Sequence, residues 1–92
     1  MSGEITFDPA KRLATLEARG LDFADAADVF QDVHRDFEDL RFDYGEPRIL
    51  TIGLLKERMV ALVWTPRGPA RHIISMRKCN DREQKKYRSL LV

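Results

Sequence analysis

The run ARHIISMR, residues 70–77, sets two guanidiniums, a hydroxyl and an imidazole close together in the chain. Read as a strand of period two, it sends Arg71, Ile73, Ser75 and Arg77 to one face and His72, Ile74 and Met76 to the other. Two guanidiniums flanking a hydroxyl make a phosphate clamp, because the planar fork of arginine matches phosphate oxygens two at a time. The competing reading pairs both arginines with carboxylates of the same chain. His72 titrates near neutrality and is either a proton shuttle or a structural strand histidine. Glu46 and Arg48 flank Pro47, offering a carboxylate base and a phosphate contact, or else a solvated turn. Trp64 closes an apolar run shortly before Arg67, where it either stacks on a base or fills the core. Tyr87, four residues after Glu83, packs on a sheet and still has a hydroxyl able to reach a neighbour. Cys79 has no histidine beside it and reads as inert packing.

These residues need elements to hold them. Ile5 to Phe7 reads as a short first strand. Asp8 followed by Pro9 is an N-cap with proline at the first helical position, and Gly20 closes a helix over about residues 9–19. A second cap at Asp22 precedes Phe23, Ala26, Ala27 and Phe30, the stripe of an amphipathic helix, with Asp25 and Asp28 facing water. From Val33 to Asp39 the period is two, with charges alternating as on an edge strand. Tyr44 to Pro47 is a turn. RILTIGLLK and MVALVWT, joined by a tight Glu57-Arg58 connection, read as adjacent central strands, and Thr65 to Gly68 turns the chain into ARHIISMR. Asn80 with Glu83 makes a capping box for a last helix carrying Tyr87, Leu90 and Leu91. The order predicts one α+β domain: a short N-terminal strand, two helices, an antiparallel sheet of about four strands and a C-terminal helix.

The formal charge of +1 hides a segregation. Residues 1–20 balance, residues 21–46 sum to −7 and residues 47–92 to +8. Clustered Lys and Arg on the second half suit a polyanion, nucleic acid first, whereas the plainer reading has the acidic half neutralise the basic strands. No apolar run nears the roughly 20 residues of a membrane helix, and the start lacks a basic-then-apolar leader, so no membrane contact is expected and the cytoplasm is the expected location. One cysteine and two histidines exclude an internal disulfide and zinc-finger spacing. Neither a metal nor another cofactor is expected.

From Phe7 to Tyr87 the chain resembles the BrnT toxins of bacterial type II toxin-antitoxin systems. The resemblance rests on FDPAK at 7–11, Gly20 with FADAADVF at 23–30, DYGEPR at 43–48, Gly53 with Leu54, VWTPRG at 63–68 and IISMRKCNDREQKKY at 73–87. It departs from the family at Thr15, Ala18 and Arg19, which stand where an asparagine, a lysine and a histidine are usual. His72 replaces a common arginine and Cys79 a common alanine. The resemblance implies a RelE-like fold and metal-independent RNA cleavage that inhibits translation. A 2′-hydroxyl would attack the adjacent phosphate and leave a 2′,3′-cyclic phosphate. On that basis Arg67 and Arg77 stabilise the phosphate, His72 or Glu46 moves protons, and Trp64 and Tyr87 position a base. Arg48, Arg71, Lys78 and Lys11 complete the RNA contact. The implied partners are RNA and a ribbon-helix-helix antitoxin that neutralises the toxin and represses the shared operon with it. Operator DNA is reached only through that complex, within which the toxin can dimerise. Two rival functions compete with this one: a non-catalytic nucleic-acid-binding domain and a module that only binds the antitoxin.

Overall fold

The computed structural model describes residues 4–41 and 43–91. The Asp8 carboxylate accepts from the Ala10 amide, and the chain enters α1, Pro9–Arg19, which ends at Gly20 with φ 70°. Only glycine takes that left-handed cap without a steric penalty. Asp22 repeats the device, accepting from the Ala24 amide and, bidentately, from Arg12 on α1. It opens a 3-10 turn, Phe23–Asp25, that continues as α2, Ala26–Gln31. Three residues per turn at the start shift the buried stripe to Phe23, Ala26 and Val29, whereas the expected Ala27 is only partly covered and Phe30 packs at the margin.

The sheet has five strands rather than four, in the order β1-β5-β4-β3-β2. Antiparallel pairing joins β2 (His34–Glu38), β3 (Ile49–Leu55), β4 (Arg58–Arg67) and β5 (Ala70–Lys78). β1, Ile5–Phe7, adds the fifth strand by lying parallel to β5. The charged β2 occupies an edge, as its alternating charges predict. The edge strand is one residue shorter at each end than expected, the last helix gives way to a 3-10 turn before Leu90 and Leu91, and two turns between strands also move. The β3–β4 turn is Lys56-Glu57, both at positive φ, one residue earlier than expected. β4 then runs on through Thr65 and Pro66 to Arg67, and the chain turns at Gly68 instead. Pro66 is tolerated in a strand because β3 pairs with β4 only as far as Trp64, so no strand on that side lacks its N–H.

Between β4 and β5 the register slips: Val63 lies opposite Ser75 and Trp64 opposite Ile73, leaving Ile74 unpaired. This bulge breaks the period of two. Ile73 and Met76 both enter the core under the helices, with Phe23, Val29, Leu62 and Trp64. Arg71 shares their face, its guanidinium 4.0 Å from the Phe30 ring centroid. His72, Ser75 and Arg77 fall on the opposite face, where α3, Asp81–Tyr87, and a final 3-10 turn cover Ile52, Met59, Ala61 and Cys79. The capping box of Asn80 with Glu83 starts α3 as expected, and Cys79 is buried packing.

On the helix side Thr51 accepts from the Trp64 indole N–H and donates to Asp36 on the edge strand, tying three strands together. Val29 presses on Gly53 so closely that an added Cβ would stand 2.6 Å from Val29 Cγ1 and 3.2 Å from His34 Cβ. Gly53→Ala should therefore destabilise the protein by about 1–3 kcal/mol through overpacking. Urea denaturation reads this directly, and an unchanged midpoint would contradict the close approach of α2 to β3.

Candidate active site

The ends of β4 and β5 beyond the bulge carry Arg67, Thr65 and His72, with Thr65 directly opposite His72. Thr65 is buried, and its hydroxyl donates to the Pro47 carbonyl at 2.6 Å. That single tether lays the Glu46–Arg48 segment against the end of the sheet. The Glu46 carboxylate then lies 3.5 Å from Arg48 Nη2 and 3.9 Å from Arg67 Nη2, so one anion spans two guanidiniums. His72 is held from the other side by β1, its Nδ1 2.8 Å from Thr6 Oγ1. Partial burial, reinforced by Arg67 and Lys11 and opposed by Glu46 and Asp8, keeps its pKa below the ordinary histidine value. The ring is accordingly neutral at pH 7 and can accept a proton.

The segment before Glu46 is anchored by Asp39, whose buried carboxylate takes the Nε and Nη2 of Arg41 and the Tyr44 hydroxyl. The Arg41 guanidinium holds that carboxylate at a pKa of about 2. The Asp39 amide donates to the Arg48 carbonyl, and the Arg48 guanidinium lies 3.9 Å from the Tyr44 ring centroid. Among the described residues, Arg48 Nε is buried with no hydrogen-bond partner. The loop is thus pinned at both ends, at Asp39 and at Pro47, and presents Glu46 and Arg48 as a rigid pair.

Of the residues expected to do chemistry, the structure brings together Glu46, Arg48, Arg67 and His72, with Lys11 near enough to act on the imidazole. Arg77 and Tyr87 do not join them. Arg77 is opposite Ala61, six residues or roughly 20 Å along β4 from Arg67. It is committed to Glu83 by two 2.7 Å hydrogen bonds. Tyr87 packs with the C-terminal apolar cluster, its ring 5.6 Å from Phe37. Three expected RNA contacts lie apart from this group. Trp64 is 7% exposed, edge-on to Phe30, and presents no ring face to a base. Arg71 lies on the helix face over Phe30 and Trp64, so the Arg71–Ser75–Arg77 clamp does not form. Lys78 lines a separate cleft with Lys56 and Arg58 at the far end of the sheet.

Thr6 and Thr65 escaped the sequence reading, because their parts depend on pairings 66 and 18 residues away that no local pattern announces, whereas Asp39 lies two residues from Arg41 and its pairing was within local reach. Arg19 was also missed as a contributor to the open face; it ends α1 and donates to the Met76 carbonyl. The ion pairs leave the basic half largely unneutralised by the acidic half: among the described residues only Glu46 bridges the two blocks. No cluster of three metal-ligating side chains occurs, and no helix is long and apolar enough to cross a membrane, among the same residues.

Two outcomes follow from this geometry. Asp22, Asp39 and Glu83 are each held at a pKa of about 2, below their unfolded values, so the folded protein binds fewer protons than the unfolded chain in acid. Stability should be full above the usual carboxylate range and fall from about pH 5 toward pH 2, and in Asp39→Asn the acid loss should be shallower in a series of thermal melts. A melting temperature that is flat to pH 2 would refute the pairing. Separately, Thr65→Val should cost about 1–3 kcal/mol in urea denaturation by leaving the Pro47 carbonyl unpaired, and Thr65→Ser should restore most of it.

A family model described as "Ribonuclease toxin, BrnT, of type II toxin-antitoxin system" matches residues 7–83. No curated protein matches the chain.

Proposed function

The chain belongs to the BrnT family of ribonuclease toxins of type II toxin-antitoxin systems, and we propose that it cleaves RNA at the end of the sheet where Glu46, Arg48, Arg67 and His72 meet. The convergence of these four side chains from three separate segments is the observation that carries the reading. Cleavage by 2′-hydroxyl attack needs a base for the 2′ proton and cations for the charge that builds on the phosphorane. His72, neutral and tethered through Nδ1, supplies its Nε2 as the base. Arg67 and Arg48 stabilise the phosphorane, and Glu46, already spanning both guanidiniums, orients them. The C2′ oxygen bonds to phosphorus as the bond to the 5′ oxygen breaks, and the departing oxygen takes a proton from water. The products are a 2′,3′-cyclic phosphate and a free 5′-hydroxyl. The step as written uses no metal.

The family implies an antitoxin partner and an RNA substrate. We take the antitoxin to be a ribbon-helix-helix protein that silences the toxin in the cytoplasm and represses their operon together with it, the toxin being dimeric in that complex and touching operator DNA only through its partner. The net charge of +8 on residues 47–92 supports an acidic segment of that protein covering the same surface.

Purified protein in excess EDTA, incubated with a labelled structured RNA, should give cyclic-phosphate ends. His72→Ala should lower the rate about 10²–10⁴-fold and Arg67→Ala about 10²–10³-fold, the ranges for a lost general base and a lost charge stabiliser, with Lys78→Ala unchanged. Because the base form of His72 is the active one, the rate should rise with pH through a midpoint below the ordinary histidine value and be level at pH 7. Intact RNA beside a folded protein, or cleavage indifferent to both variants, would overturn the assignment in favour of a binding module.

A further inference from the structure

Beyond His72 the same sheet face stays uncovered between the end of α1 and residues 38–41, leaving a groove of about 360 Å³. Leu50, Val63 and Ser75 lie abreast on β3, β4 and β5 and form its floor, with Ala61 beside them. Arg19, Arg41 and Arg77 stand around it, with Glu38, Asp39 and Leu40 on the rim beside Arg41. Past Arg19 and Ser75 the groove continues into a shallower trough along α1 that reaches Lys11. The row of Val63 and Ser75 is two residues, about 7 Å, from the row of Thr65 and His72. That is comparable to the step of one nucleotide along an extended strand.

The cations differ in kind. Arg41 and Arg77 are held in place by Asp39 and Glu83, whereas Arg19 donates to a backbone carbonyl and makes no ion pair among the described residues. The floor is aliphatic, which suits a flat apolar group, and guanidinium planes stack on bases as well as pair with phosphates. A duplex, whose bases are stacked and paired, offers no base face to such a floor. We propose that this groove receives an unpaired nucleotide next to the one cleaved, its base on Leu50 and Val63 and its phosphate toward Arg19, so that the RNA taken here is single-stranded. This deepens the ribonuclease reading and rests on it for the position of the scissile bond.

The test separates the two. A labelled 2′-fluoro oligouridylate has no attacking hydroxyl, so its binding is read by fluorescence anisotropy whether or not the protein cleaves. It should bind about ten-fold or more tightly than the same strand annealed to oligoadenylate, the value of one stacked base. Ser75→Trp, which fills the floor, should lose that advantage while duplex binding stays level. Arg19→Gln should make the slope of log affinity against log salt shallower by about 0.7, one phosphate contact on a single strand. Equal binding of single strand and duplex, no RNA binding at low salt, or wild-type behaviour of both variants in folded protein would overturn the groove. If the probe binds as described and the EDTA assay still leaves RNA intact, the groove stands and the ribonuclease assignment falls; cleavage that depends on His72 while both groove variants bind normally gives the reverse.

Discussion

The unpaired Ile74 decides which side chains of β5 face the helices and which face solvent, and most of the functional geometry hangs on that one residue. A regular strand would have put Arg71, Ser75 and Arg77 on one face. With an extra residue inserted, Ile73 and Met76 both reach the core, as the tight apolar packing under α2 requires. Arg71 is drawn to the helix side, where it lies over Phe30 and Trp64. His72, Ser75 and Arg77 are left together on the open side. Bulges re-aim side chains where a sheet would otherwise be uniform, and here the result sets His72, Ser75 and Arg77 along one face beside the aliphatic floor of Val63 and Ala61.

Carboxylates hold the cations of the open face in place. Asp39 holds Arg41, Glu83 holds Arg77 and Glu46 spans Arg48 and Arg67. At exposed positions such pairs add little stability. Their effect is to remove the rotamer freedom that a long cationic side chain would otherwise lose on meeting a phosphate. Thr65 and Thr6 act in the same way on neutral groups, one tethering the Pro47 carbonyl and the other the His72 ring.

Much of this architecture was legible along the chain. The caps at Asp8 and Asp22, the glycine after Arg19, the capping box at Asn80 and the charged edge strand were all found where local chemistry put them, because each depends on residues within a few positions. The pairing of Glu46 with Arg48 was also within reach, since the two flank one proline, whereas Arg67 reaches Glu46 only through the fold. The parallel addition of β1 was not, because it joins residues 66 apart and three residues carry no periodicity.

The amino-acid order by itself determined the element types, the apolar runs of β3 and β4, the concentration of positive charge after residue 46 and the family to which these motifs belong. Only the tertiary structure decided faces and neighbours. Whether Trp64 meets a base or Thr51 is set by how β3 and β4 pack under the helices, and whether Arg71 and Arg77 form a clamp and whether His72 stands alone or beside Arg67 are set by a one-residue slip between β4 and β5. Such a slip costs nothing visible in local propensity. It is selected by how Ile73 and Met76 fill the space beneath the helices, and close packing of that kind is a property of the whole core.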